Sequence, residues 1–127
     1  MESEPIHVRY VVNDVAAAIA FYTRHLGFTV HQDNSPAFAA IDWRGLRLLL
    51  SGAASAGGQA MPDGRRPEAG GWNRIQVRVD DLAAEVARLR AVGITFRNDI
   101  VPGKAGAMIV LDDPCGNPVE LFQAAPH

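Results

Sequence analysis

The sequence predicts an α+β fold made of two tandem βαβββ modules, residues 1–51 and 72–127, within one domain of 127 residues. The first observation behind this prediction is that alternating apolar and polar residues give way, twice, to apolar residues at helical spacing. The second observation is that the latter half of the chain repeats the order of the former. We expect the two modules to form a curved mixed sheet around a cleft.

The first module begins with an alternating segment, 6–12, that predicts a strand with apolar residues on one face. Asp14 then supplies a helix N-cap, and apolar residues at helical spacing predict a helix over 15–26. Gly27 follows where a helix is expected to end. Three more strands are predicted at 28–31, 37–43 and 46–51.

Residues 52–71 are rich in Ala, Gly, Ser and Pro and predict a linker between the modules. A structureless segment of about 20 residues is long for a compact domain, so this one is either a boundary or a functional lid. Arg65 and Arg66 in its middle could meet an anion, although paired loop arginines are usually just solvated.

The second module repeats this order. An alternating segment, 74–79, predicts a strand, Asp81 offers a second N-cap, and the following helix is expected to end at Gly93. The loop 98–106 could be a mobile flap over the cleft or a plain hairpin loop. Further strands are predicted at 94–96, 107–111 and 118–122.

A tight turn precedes the last strand. Asp113, Pro114 and Gly116 have the order typical of a type I β-turn. In the strand that follows, Glu120 is a lone carboxylate between apolar residues. A buried, unpaired carboxylate is costly, so Glu120 should have a cation, a metal or water beside it.

Aligning the two modules predicts a cluster of four side chains. With Asp14 placed on Asp81, His7 falls on Arg74, and with the glycines of the last turns superposed, Leu49 falls on Glu120. These four positions should therefore face each other across the cleft. The other two histidines near the first module's helix and second strand, His25 and His31, fall outside them and are expected to be surface residues.

Charge and cysteine content exclude several classes of protein. The net charge is −2, with no basic stripe, so neither nucleic acid nor an anionic membrane is an expected partner. No apolar run approaches the roughly 20 residues needed to span a bilayer. The single cysteine, Cys115, makes no internal disulfide, which favours a cytoplasmic location. Cys115 is not expected to be a nucleophile, because no accompanying base pattern is present.

Several short motifs, in order, resemble the vicinal oxygen chelate superfamily. The motifs are His7, then Val-Asn-Asp-Val at 12–15, Phe-Tyr at 21–22, Leu-Gly-Phe at 26–28, Val-Asp-Asp-Leu at 79–82, Asp-Pro at 113–114 with Gly116, and Glu-Leu at 120–121. This superfamily includes glyoxalase I, extradiol dioxygenases, fosfomycin-resistance enzymes and bleomycin-resistance binding proteins. The resemblance implies paired βαβββ modules around a cleft, metal ligands at the four cleft positions, and a homodimer.

The chain departs from that ligand pattern at two of the four positions. His7 and Glu120 match, but Leu49 cannot ligate a metal, and Arg74 carries a cation without a free lone pair. Two protein ligands are fewer than catalytic zinc or iron sites use. We therefore expect no metal and no cofactor. Instead, Arg74 is expected to pair with Glu120, and this pair could extend to His7.

The same strand faces predict a mixed aromatic, cationic and amide lining that suits a flat organic molecule with acidic or carbonyl oxygens. The expected ligand-binding residues are His7, Arg9, Trp43, Leu49, Trp72, Arg74, Gln76, Glu120 and Phe122. This favours a protein that binds or sequesters an aromatic or acidic metabolite or antibiotic.

Whether the protein is an enzyme stays open at this point. One alternative is a lyase, isomerase or dioxygenase of the same superfamily, with Glu120 or His7 as general base or with a divalent metal. Another is a protein with an interaction role and no ligand.

Overall fold

The structure, a computed structural model, describes residues 4–126. The chain folds as two compact units, Met1–Gly70 and Gly71–His127. The boundary falls at the C-terminal end of the segment predicted to be a linker. Within residues 4–126, no helix is long and apolar enough to cross a membrane.

The first unit has the predicted βαβββ order. Its strands pair in the order β1-β4-β3-β2, with β1 parallel to β4 and the other neighbours antiparallel. A parallel pair needs a crossover, which the helix supplies. The elements are β1 (Ile6–Val11), α1 (Val15–His25), β2 (Thr29–Asn34), β3 (Phe38–Trp43) and β4 (Leu46–Ser51).

Helix α1 covers one face of this sheet. Asp14 caps it, since its Oδ1 accepts a hydrogen bond from the backbone N–H of Ala17 at 3.0 Å. The core between helix and sheet is built mainly from apolar side chains, and each buried large side chain contributes about 2 kcal/mol. It includes Tyr10, Val15, Ala18, Phe21, Tyr22, Phe28, Ala39, Ile41, Leu48 and Leu50.

The second unit repeats this arrangement. Its strands pair in the order β5-β8-β7-β6, with β5 parallel to β8. Asp81 caps the helix through a 3.0 Å bond from the backbone N–H of Ala84. The elements are β5 (Ile75–Arg78), α2 (Leu82–Ala91), β6 (Val101–Pro102), β7 (Gly106–Asp112) and β8 (Pro118–Ala124). Its core includes Ile75, Val77, Leu82, Val86, Leu89, Ile109, Leu111, Val119 and Leu121.

The prediction of a strand at 94–96 is wrong. Backbone bonds do join this segment to β7, but Phe96 forms only an isolated bridge with Leu111. The ladder stops because the Asn98 side chain accepts the bond from the backbone N–H of Val110, at 2.9 Å. The predicted loop 98–106 contains β6 and a tight hairpin closed by bonds between Gly103 and Gly106. Its movement as a flap stays a prediction.

The segment predicted as a linker is partly structured. Residues 52–58 lie against the first sheet, and a short 3₁₀ helix forms at Ala56–Gly58. Gly58 is buried, and a Cβ at this position would overlap the carbonyl oxygen of Gly52. Only glycine therefore permits this close return of the backbone.

The strand register agrees with the sequence alignment of the two modules. Arg9 lies opposite Leu49 in the first sheet, and Gln76 lies opposite Glu120 in the second. Leu49 and Glu120 therefore occupy equivalent positions, each in the middle of the strand that pairs with the first strand of its unit.

Candidate functional site

The carboxylate of Glu120 lies on the helix-free face of the second sheet, that is, the face opposite α2. Its neighbours in β8, Val119 and Leu121, are buried on the helix side. Arg74 donates through Nε to Glu120 Oε1 at 3.0 Å, and its Nη2 lies 2.9 Å from the same oxygen. Gln76 Nε2 donates to Oε2 at 2.6 Å. The predicted ion pair between Arg74 and Glu120 is therefore present, and its possible extension to His7 stays a prediction.

The turn between β7 and β8 fixes the position of Glu120. The side chain of Asp113 is buried, and its Oδ1 accepts from the backbone N–H of Cys115 at 2.8 Å and of Asn117 at 2.9 Å. The backbone N–H of Gly116 donates to Asp113 O at 3.0 Å, the bond expected of the predicted turn. Gly116 has φ +88°, which a residue with a side chain rarely adopts.

A second cation on this unit, Arg97, is held by several partners and was not predicted. Its Nε donates to Asp112 Oδ1 at 2.6 Å, and Nη1 and Nη2 donate to the carbonyl oxygens of Gly71 and Gly116. The guanidinium lies 4.7 Å from the ring centre of Trp72, which is 69% exposed. Trp72 is thus an ordered, accessible aromatic ring, while its predicted ligand contact stays a prediction.

The guanidinium of Arg78 and the ring of Phe122 form a further cation–π contact on the helix-free face, with 5.5 Å between the guanidinium carbon and the ring centre. Phe122 is half-buried. Its predicted role in ligand binding stays a prediction.

The first unit carries a pocket of about 440 Å³ on its own helix-free face. The volume is within the range typical of small-molecule sites. One cation, two amides and one aromatic ring make up half of its eight lining residues. The lining residues are Arg9, Gln32, Asn34, Ala37, Phe38, Ser55, Ala56 and Gly57. Of these, sequence reasoning named only Arg9.

The guanidinium of Arg9 is positioned at the pocket wall by two contacts. Its Nη1 donates to the hydroxyl of Ser51, a buried residue, at 2.8 Å. It also passes directly over Gly57, where an added Cβ would overlap the guanidinium. Among residues 4–126, no carboxylate forms an ion pair with Arg9.

A charged cluster lies farther along the same face. Arg47 donates through Nε and Nη2 to the two carboxylate oxygens of Asp42, at 2.8 and 3.1 Å, and Nη2 lies 3.2 Å from His31 Nδ1. The hydrogen bonds from Arg47 lower the pKa of Asp42, with smaller contributions from the charges of Arg47, His31 and His7. The same hydrogen bond raises the pKa of Arg47.

His31 is exposed, as expected for a surface residue, and its ring also lies beside this cluster. A β-bulge in β2 interrupts the pairing between Val30 and Gln32, so His31 is the extra residue. Its Nδ1 lies 3.2 Å from Arg47 Nη2 and 3.9 Å from Asp42 Oδ2.

Trp43 lies on the helix side of its sheet, and its predicted contact with a ligand stays a prediction. It pairs with Leu46 in register and so shares the face of Ile41, and its ring stacks on Phe28 at 6.3 Å. Trp43 therefore extends the core on the helix side. Leu49 does lie on the helix-free face, as does His7, which is exposed beside Arg47.

The residues around Glu120 do not fit a divalent metal ion. Both Glu120 oxygens already accept hydrogen bonds, and the guanidinium of Arg74 would repel a cation. Within the described chain, no group of three or more His, Cys, Asp or Glu side chains could hold a metal.

Comparison with known proteins gives a family match. Residues 5–121 match the model of the glyoxalase/bleomycin resistance protein/dioxygenase superfamily. The uncharacterized protein YaeR of Escherichia coli (strain K12) is 33% identical over 124 residues, which cover 92% of this chain and 93% of that protein.

Two solved structures have a similar fold. Lactoylglutathione lyase from Agrobacterium tumefaciens gives a TM-score of 0.73 at 22% identity, covering 96% of this chain and 94% of that one. TnmS3, an antibiotic binding protein from Streptomyces sp. CB03234, gives a TM-score of 0.72 at 23% identity, covering 98% of both chains.

Proposed function

The chain belongs to the glyoxalase/bleomycin resistance protein/dioxygenase superfamily, and we propose that it acts there as a binding protein for a small aromatic or acidic organic molecule. The observation that carries the proposal is that the carboxylate of Glu120 already has partners within the protein. It accepts hydrogen bonds from Arg74 and Gln76, so it is not available as a metal ligand. The likeness to an antibiotic binding protein is one of fold, and it is compatible with this role.

The ion pair also argues against Glu120 as a general base. A carboxylate that accepts bonds from Arg74 and Gln76 has only part of its acceptor capacity left for a proton from a substrate. His7 is exposed and remains the other candidate base. The second candidate is therefore an enzyme of the same superfamily, that is, a lyase, an isomerase or a dioxygenase. The similarity in fold to lactoylglutathione lyase is compatible with this candidate.

The proposal includes the statement that this chain has lost the metal site of its superfamily. Metal titration of an Arg74→His variant tests that statement. The substitution removes the repelling cation and, if His7, residue 74 and Glu120 converge as the alignment of modules predicts, supplies the two imidazoles and one carboxylate of a facial metal site. We expect zinc, iron and manganese to bind the wild type weakly and the variant at least about tenfold more tightly, an effect of about 1.4 kcal/mol. Calorimetry measures both.

The matched control adds Glu120→Gln to Arg74→His, which removes the carboxylate and should reverse the gain. Tight, stoichiometric metal binding by the wild type would contradict the loss of the metal site and would favour a metalloenzyme. A thermal-shift screen of the wild type against aromatic acids and their neutral analogues tests the binding role. No stabilisation by any member of such a panel would count against a small-molecule binder.

Assembly and cellular setting are also part of the proposal. We expect a homodimer, because β1 is the edge strand of its sheet and exposes Ile6 to 71%. Light scattering that gives only the monomer mass at micromolar concentration would contradict it. We place the protein in the cytoplasm, where the thiol of Cys115, which forms no disulfide, would stay reduced.

A further inference from the structure

We propose that the pocket of the first unit recognises the carboxylate of an aromatic acid, with Arg9 as its counter-ion. This inference rests on the proposed function and narrows the ligand to one chemical class. It also assigns the recognition of the ligand's charge to the first unit and not to Glu120, the second-unit residue that matches a metal ligand of the superfamily.

The charge of Arg9 is available to a ligand. Two other arginines on the helix-free faces meet carboxylates: Arg47 pairs with Asp42, and Arg74 with Glu120. A third, Arg78, lies over the ring of Phe122. Arg9 donates instead to a neutral hydroxyl, that of Ser51, which uses one of its five N–H groups. Within the described residues, no carboxylate satisfies this charge, so an anionic ligand can do so.

Two contacts set the position of the guanidinium before a ligand arrives. Ser51, to which it donates a hydrogen bond, is fully buried. Gly57 lies against the other side of the arginine side chain. A planar guanidinium held in this way can present its remaining N–H groups as a fork that matches a carboxylate.

The rest of the wall adds a second donor and an aromatic surface. Gln32 Nε2 donates to Asn34 Oδ1 at 2.9 Å, an arrangement that turns the amide N–H groups of Asn34 toward other acceptors. Phe38 shares the sheet face of Ser51, since the two are partners in the β3–β4 ladder. Cation, amide donor and ring together suit a carboxylate attached to a flat apolar group rather than an inorganic anion.

A titration of isotope-labelled protein with benzoate, followed by the backbone amide signals of Ala56, Gly57 and Gln76, tests the inference. We expect saturable shifts at Ala56 and Gly57, with a dissociation constant on the order of 1 mM for so small a fragment. Benzamide, which has the same shape without the charge, should bind at least about fivefold more weakly. Inorganic phosphate should also bind more weakly, because it has no ring to contact Phe38.

Two variants test the role of Arg9. Arg9→Met should weaken benzoate binding at least about tenfold, because a charge-assisted bond is lost. Gly57→Ala should weaken it comparably while the spectrum stays dispersed, because the nearest atoms that the added methyl group meets belong to the Arg9 side chain and not to the backbone. Arg24→Met, which removes one exposed positive charge of α1 in the same unit, is the matched control and should change binding less than about twofold.

Unchanged benzoate binding in Arg9→Met, equal binding of benzamide, or shifts confined to Gln76 would each overturn the inference. Phosphate binding as tight as that of benzoate would reduce the pocket to a general anion site and overturn the aromatic part. If neutral compounds stabilise the protein in the thermal-shift screen while benzoate fails to bind at Gly57, this inference fails and the proposed function stands. If no panel member stabilises the protein and benzoate does not bind, both fail.

Discussion

In the first unit Arg9 faces a pocket, whereas in the second unit the equivalent residue, Gln76, donates its amide to Glu120. The position opposite Arg9 is Leu49, which offers it no charge. Two sheets of the same order and register thus carry different chemistry on their helix-free faces. The second unit satisfies its central carboxylate internally, and the first leaves its central cation to a ligand.

A third pair of equivalent positions holds an aspartate in each unit, and each aspartate is paired with an arginine. Asp42 and Asp112 lie at matching places on β3 and β7, since each is two residues from the partner of Leu49 or Glu120. Asp42 receives its arginine, Arg47, from the neighbouring strand, whereas Asp112 receives Arg97 from the segment after α2. The backbone repeat determines where a carboxylate stands, and the local sequence determines which cation reaches it.

Truncating equivalent core leucines tests whether the two units are built alike. Leu50→Ala and Leu121→Ala should each lower the free energy of unfolding by about 3 kcal/mol, because both side chains are almost fully buried between helix and sheet. Urea unfolding followed by circular dichroism measures both losses. The control is Leu49→Ala on the helix-free face, which should lose less than about 1.5 kcal/mol. A loss as large at Leu49 as at Leu50 would contradict the assignment of the two faces.

The turn before the last strand also differs between the two units. The first unit closes its β3–β4 hairpin at Arg44, with φ +52°, while the second uses the buried acceptor Asp113. Asp113→Ala should lower the free energy of unfolding by about 2 kcal/mol, because two backbone N–H groups lose their partner. Asp113→Asn keeps an acceptor oxygen and should lose less than half as much in the same urea experiment. Equal losses would mean that the acceptor oxygen is not what holds the turn.

The smallest effect concerns pH and the Asp42–Arg47 pair. Because the pKa of Asp42 is lowered from 3.8 in the folded state, the pair stabilises the fold above that pH. The contribution falls away as the pH drops through the lowered pKa. With the side chain 30% exposed, solvent screening limits it to less than about 1 kcal/mol.

Unfolding free energies of the wild type and Asp42→Asn, compared at about pH 6 and about pH 3, measure this contribution. The wild type should be the more stable protein at the higher pH, and the difference should shrink at the lower pH. A constant difference would mean that Asp42 acts through packing and not through its charge.

The sequence by itself determined the repeat, both helices with their aspartate caps, and the register that makes Leu49 and Glu120 equivalent. It also determined the pair of Arg74 and Glu120. These features follow from local chemistry and from side-chain periodicity, both of which are written in consecutive residues.

Tertiary structure alone decided the features that depend on an exception to periodicity or on a distant segment. The Asn98 side chain ends a ladder that the pattern predicts, and Trp43 stacks on the core residue Phe28. The pocket itself forms because residues 52–58 return across the first sheet and bring Gly57 over Arg9. The position of such a glycine-rich segment cannot be predicted from its own sequence, because its conformation is set by the surface on which it packs.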